Sequence, residues 1–239
     1  AEKAGVSAAE LAETRGLIAK AHHGLPWGAA LRSGNLWAVM GVGFCYMCTF
    51  YFFLSWLHTF LVKGRGYSEN DLLLTSLPFF VAACANFSGG LASNALVRRV
   101  GLTWGRRSIG LAGLGIAAAC TVAVMFTQQG PWTLILLSLA YGGISFQQPT
   151  VFAACLDIGG EYAGAVVGAL NTACQIGSFV SSLAFGYLVD RYGSYNVPFI
   201  PMAALLFIGA WLWLKIDPSQ ALIPRSEAVT TIGIPVAVQ

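Results

Sequence analysis

The sequence predicts an all-α integral membrane protein with six transmembrane helices. Three observations carry that expectation. Of the 239 residues, 56% are hydrophobic and 10% charged, against about 25% charged in an average soluble domain. Apolar runs recur that match the roughly 20 helical residues needed to cross a bilayer core about 30 Å thick. These runs are continuous, whereas strands of a membrane β-barrel alternate over about ten residues.

The runs are 36–62, 72–96, 107–127, 131–155, 162–188 and 196–215. Each is bounded by charge, Gly or Pro. KGRGYSEND follows the first, VRRVGLTWGRR the second and QQGP the third; LDIGGEY and VDRYGSYN bound the fourth and fifth. Residues 1–34 read as a polar, Ala-rich cytoplasmic linker, 35–217 as the helical bundle, and 218–239 as a cytoplasmic tail. The chain starts at Ala1 without a signal-peptide pattern, which reads as an internal piece of a longer protein or a protein whose start has been removed.

Loop charge sets the expected orientation, because cytoplasmic loops collect Lys and Arg. With the first residues inside, ten of the thirteen basic residues fall inside, and Lys63, Arg65 and Arg191 fall outside. The cluster Arg98, Arg99, Arg106 and Arg107 is then a short cytoplasmic loop. Both termini lie in the cytoplasm, and the location is the cell (inner) membrane. A net charge of +3 gives no argument for nucleic acid. The six cysteines lie in apolar runs, and Cys45-x-x-Cys48 lacks a second pair at zinc spacing, so they read as small apolar fillers.

No Asp, Glu, Lys or Arg lies near the middle of a span. Neutral polar residues line up instead. Asn171, Gln175, Ser178 and Ser182 share a helical face, as do Ser138, Tyr141, Ser145 and Gln148, with Pro149 next. Cys48, Tyr51, Ser55 and His58 form a third stripe. Such stripes either glue helices together or line a cavity, and their recurrence on three helices favours a cavity. Gly160, Gly164 and Gly168 form a small-residue row suited to close helix contact. Neither a Ser/His/Asp set nor a metal cluster stands out, and no enzyme, cofactor or metal is expected.

Several stretches carry a family resemblance. They are YFFLSWLHTFLVKGRGYS (51–68), SLPFFVAACANFSGGLASNALVRR (76–99) with GRR at 105–107, and GALNTACQIGSFVSSLAFGYLVDRYGSYNVPF (168–199). With LPWGAALRSGNLWAV (25–39) entering the first span, they resemble the C-terminal half of a major facilitator superfamily transporter. The subfamily they resemble most is the anion:cation symporters, which move sugar acids. The resemblance implies one six-helix half of a twelve-helix fold and a missing N-terminal six-helix half as partner. It also implies proton-coupled symport of a small organic anion, such as a hexuronate, aldonate or aldarate, by alternating access.

From the polar stripes, Tyr51, Ser145, Gln148, Asn171 and Gln175 are expected to form a hydrogen-bonding substrate wall, Asn171 foremost because its Asn-Thr pair resembles the family's polar site in that helix. The resemblance implies a gating loop built on Gly89, Gly90, Asn94, Arg98, Arg99 and Arg107, the glycines allowing close helix approach. Asn94 stands where the family pattern has Asp, so it is expected to bond Arg98 or Arg99 without the strength of a charged pair. His58 stands where the family commonly has Pro, which predicts a straighter end to the first span. The competing reading is a complete six-helix structural or regulatory subunit without transport of its own.

Overall fold

The computed structural model describes residues 25–68, 76–128 and 130–222. The expected linker and tail lie largely outside these, as does the start of the second run. All regular structure among the described residues is helical. After a single turn at Trp27–Ala30 come α1 (Gly34–Ser55), α2 (Leu77–Val100), α3 (Leu102–Val124), α4 (Pro131–Gly159), α5 (Ala163–Tyr192) and α6 (Phe199–Trp213).

Four helical stretches are long and apolar enough to cross a membrane: α1, α2, α3 and the 62-residue run Pro131–Tyr192. That run is two helices. Gly160, at φ 51°, ends α4, and a 3-10 turn at Gly160–Tyr162 leads into α5. Positive φ is inexpensive only for glycine. Helix α6 has fifteen residues, fewer than a crossing requires, but i→i−3 bonds from Phe199 to Asn196 and from Lys215 to Leu212 extend its coil at both ends.

Three expectations are corrected. The first run is not one straight helix. It breaks at Trp56 (φ −121°) and ends in a π turn, Phe60–Gly64. Aromatic packing holds both sides of the break: Phe52 and Phe60 both pack edge-on against Phe199, and Trp56 stacks on Phe185 at 4.9 Å.

The arginine stretch is not a loop. α2 runs to Val100 and α3 starts at Leu102, with Gly101 (φ 84°) as the whole connection. Arg98 and Arg99 occupy the last turn of α2, where positive charge complements the exposed carbonyl end of the helix.

Among the described residues the glycine row of α5 is not a packing seam. A Cβ on Gly164 or Gly168 would meet none of their atoms within 4 Å. α5 packs instead through Leu170, Cys174, Gly177 and Ser181, all buried. At Gly177 a Cβ would come 2.6 Å from the Phe44 carbonyl of α1.

The bundle has a back and an open front. α3 packs on α2, α4 and α6, and α6 packs on α1 and α3. α1 lies against α5, and α2 lies against α4. α4 touches both α1 and α5, so α1 and α4 separate α2 from α5. Glycines set the tightest crossings. A Cβ on Gly89 would run into the Phe146 carbonyl, and one on Gly113 would come 2.6 Å from the Gly143 carbonyl. Gly90 makes ordinary contact, 3.7 Å from Pro149, so Gly89 is the glycine of that pair that requires its lack of a side chain.

Candidate functional site

Helices α2 and α5 flank the front, and α2 is the least covered of the long helices. Of the five residues expected to form a substrate wall, Asn171 and Gln175 lie on the exposed face of α5. With Thr172, Ile176 and Phe179 they line an open concavity of about 520 Å³. Thr172 satisfies its hydroxyl on the Gly168 carbonyl, 3.0 Å away. Asn171 and Gln175 make no side-chain hydrogen bond among the described residues. Their exposed face in an apolar helix is therefore a pair of unspent amides.

Ser145 and Gln148 sit across the α2–α4 contact, and the local chemistry explains what joins them. Pro149 has no N–H, so the Ser145 carbonyl loses its usual helical donor. Asn86 of α2 fills that vacancy. Its Nδ2 donates to the Ser145 carbonyl at 3.3 Å and to Gln148 Oε1 at 3.0 Å. Gln148 also interacts with the hydroxyl of Tyr46, a buried residue of α1 that accepts from Cys174 Sγ of α5 at 3.6 Å. Asn86, Gln148, Tyr46 and Cys174 thus form a polar seam across α2, α4, α1 and α5. Asn86 and Tyr46 were not among the expected site residues, although the proline four residues after Ser145 signalled a carbonyl in need of a donor.

Tyr51 is half-buried and makes no hydrogen bond among the described residues, so no bond ties it to the seam. The longer stripes divide. Ser138, Ser178 and Ser182 return their hydroxyls to carbonyls four residues back on their own helices. Tyr141 stacks on Phe53 at 4.3 Å, nearly parallel. The three serines thus spend their hydroxyl protons inside the bundle, and Tyr141 is held by ring packing.

At the end of the bundle where α2 turns into α3, the charge is arranged differently from the expectation. Asn94 meets neither Arg98 nor Arg99. Its Oδ1 lies 3.4 Å from Arg106 Nη1, because that side of α2 faces α3. Arg106 is the buried member of the cluster, 8% exposed. It donates Nε to Asp157 Oδ2 of α4 at 3.0 Å and Nη1 to Ser93 Oγ at 2.8 Å. α2, α3 and α4 are therefore tied at one point. Arg107 donates to the Ile216 carbonyl at 2.7 Å, and Arg98 and Arg99 stay exposed.

Comparison with known proteins agrees with this architecture. The profile of the Major Facilitator Superfamily matches residues 2–182. A protein named a probable sulfoacetate transporter of Cupriavidus necator is 34% identical over 195 residues, covering 81% of this chain and 45% of the relative. A probable galactarate/D-glucarate transporter of Bacillus subtilis is 29% identical over 170 residues, covering 70% of this chain and 36% of the relative. The chain spans less than half the length of these relatives. A peptide transporter crystallised in complex with sulfate superposes with a TM-score of 0.61 at 16% identity, over 83% of this chain and 43% of that one, and so shares the fold. This membrane-embedded chain belongs to the Major Facilitator Superfamily, a family of transporters and not of enzymes.

Proposed function

We propose that this chain is the C-terminal, six-helix half of a secondary active transporter that carries a small organic anion by alternating access. The observation that carries the reading is the pair of unspent amides, Asn171 and Gln175, on the exposed face of α5. In lipid an unpaired amide costs several kcal/mol, so such a face turns toward protein or water. A second six-helix half opposite α2 and α5 would close the front into a cavity at the bilayer midplane. The amide N–H groups would then donate to substrate oxygens, with the Asn86–Gln148–Tyr46 seam as the adjoining floor.

The relatives named for sulfoacetate and for galactarate or D-glucarate support a substrate with two anionic or oxygen-rich ends. A sugar acid or a short sulfonated carboxylate fits that description. Transport would be driven by proton symport, with α1 beginning and α6 ending on the cytoplasmic side of the inner membrane.

Gating follows from the arginines. The knot of Arg106, Asp157, Ser93 and Asn94 makes the ends of α2, α3 and α4 one block, with Gly89 allowing the close α2–α4 approach. Arg98 and Arg99 lie exposed on that block, free to exchange partners with the opposing half as the halves rock.

The test is uptake of labelled D-glucarate and sulfoacetate by the full-length protein in proteoliposomes, with and without an inward proton gradient. Gradient-stimulated uptake of either anion, lost with an uncoupler, is the expected result. Absence of uptake of both anions would leave the non-transporting subunit as the better reading.

A further inference from the structure

A second concavity lies at the opposite pole of the fold's logic, away from α5 and the front. It holds about 870 Å³ between the start of α1, the first turns of α3 and the end of α6, a volume within the range of ligand pockets. Three cations line it: Arg32, Arg107 and Lys215. Among the described residues none of them is in an ion pair, since the one pair there is Arg106 with Asp157.

One carboxylate, Asp217, also lines the cavity, but its oxygens are committed. Oδ1 accepts from Ser219 Oγ at 2.6 Å and Thr103 Oγ1 at 3.0 Å, and Oδ2 accepts from Gln220 Nε2 at 3.0 Å. The Ser219 hydroxyl first, and the nearby Arg107 charge among the lesser causes, hold its pKa below the usual carboxylate range, so it remains an anion hydrogen-bonded on both oxygens. Among the described residues Arg107 hydrogen-bonds through Nε alone, to the Ile216 carbonyl, which leaves its two terminal nitrogens for a ligand. The cavity therefore carries three positive charges against one negative.

The rim identifies the kind of anion. Trp37 and Trp211 line the cavity and are 55% and 54% exposed. Lys215 lies over the Trp211 ring at 5.2 Å, and Arg107 over the Trp104 ring at 5.7 Å. Exposed tryptophans beside cations mark the headgroup level of a bilayer, where an indole sits between oil and water. Leu212 and Ala38 continue the wall toward the apolar length of α6 and α1. A soluble anion has no use for such a wall, whereas the acyl chains of a lipid would lie along it.

We propose that this cavity is a binding site for the phosphodiester headgroup of an anionic phospholipid, held by Arg32, Arg107 and Lys215 between Trp37 and Trp211. Basic pockets between membrane helices at the bilayer surface suit such headgroups. The site lies apart from Asn171 and the substrate face, and it goes beyond the transport reading.

The experiment measures binding and not transport, so its failure and that of the transport reading are separate results. The full-length protein in detergent is titrated with phosphatidylglycerol, phosphatidylcholine, sn-glycerol 3-phosphate and inorganic phosphate, with bound lipid counted by native mass spectrometry and stability followed by thermal shift. Phosphatidylglycerol is expected to bind at least five-fold more tightly than phosphatidylcholine. Arg32→Gln or Lys215→Gln should each weaken it about five-fold, and the pair about 25-fold, from roughly 1 kcal/mol per cation near a charged surface.

Both side chains are exposed and make no hydrogen bond among the described residues, so the neutral variants should fold. Arg32→Lys and Lys215→Arg should keep most of the preference. Equal binding of the two lipids, or an unchanged preference in the double variant, would overturn the site. Inorganic phosphate or glycerol phosphate matching phosphatidylglycerol at equal concentration would overturn the lipid assignment in favour of a soluble phosphate.

Discussion

Two polar regions of this membrane protein handle the same problem in opposite ways. Where α2, α3 and α4 meet, Arg106 is buried and every nearby partner is spent on it: Asp157, Ser93 and Asn94. On the open face of α5, Asn171 and Gln175 are exposed and spend nothing among the described residues. A saturated polar group inside a bundle fixes how helices sit against each other. An unsaturated one on an apolar helix is reserved for something outside the chain. The contrast separates residues that hold this fold from residues that serve what the fold is for.

The largest effect should come from breaking the saturated region. Asp157→Ala leaves Arg106 charged and unpaired in a buried site, and is expected to cost about 3–5 kcal/mol, read as a lowered thermal unfolding midpoint of the full-length protein. Asp157→Asn keeps an acceptor for Arg106 Nε and should cost clearly less. A midpoint unchanged in Asp157→Ala would mean the pair does not hold the three helix ends.

Glycines sharpen the same comparison. Gly89→Ala places a methyl against the Phe146 carbonyl and should destabilise by about 1–3 kcal/mol, whereas Gly164→Ala on the open face of α5 should leave stability unchanged. Equal losses at the two positions would show that α5 packs against something at Gly164 in the folded half itself.

Asn86→Ala removes the donor that replaces the missing Pro149 N–H, and is expected to cost about 1–3 kcal/mol by leaving the Ser145 carbonyl unsatisfied. Restoring a backbone donor with Pro149→Ala should recover part of that loss in the double variant. Failure of this rescue would separate Asn86 from the proline.

The smallest expected effect on stability is that of Asn171→Ala, within about 0.5 kcal/mol. Under the transport reading, the same variant should weaken substrate affinity about tenfold, the value of one charge-assisted hydrogen bond to an anion, measured by competition uptake. A variant that is destabilised yet transports with unchanged affinity would move Asn171 into the class of Arg106.

Much of this was legible before the fold was known. Runs of apolar residues bounded by Gly, Pro and charge marked the positions of helices α1 to α6, because a helix is the only open chain that satisfies its own backbone in lipid. Helix ends shifted by a few residues, notably at 97–107, where four arginines and two glycines looked like a loop. One glycine at φ 84° was enough to turn the chain there. The glycine row of α5 misled for a related reason. Spacing identifies a face of a helix but not what stands opposite it.

Residue type and spacing alone settled that this chain is helical, apolar along its length and basic near one set of helix ends. Those follow from local rules: backbone hydrogen bonding, side-chain period and the cost of charge in oil. Only the tertiary structure decided which arginine is buried, which amides are spent and where the free cations gather. Arg98, Arg99, Arg106 and Arg107 share one local sequence context, and Asp157, the residue that singles out Arg106, lies 51 positions further along the chain. Pairing at that distance is set by how helices cross, and the crossings are set by glycines pressed against carbonyls of neighbouring helices.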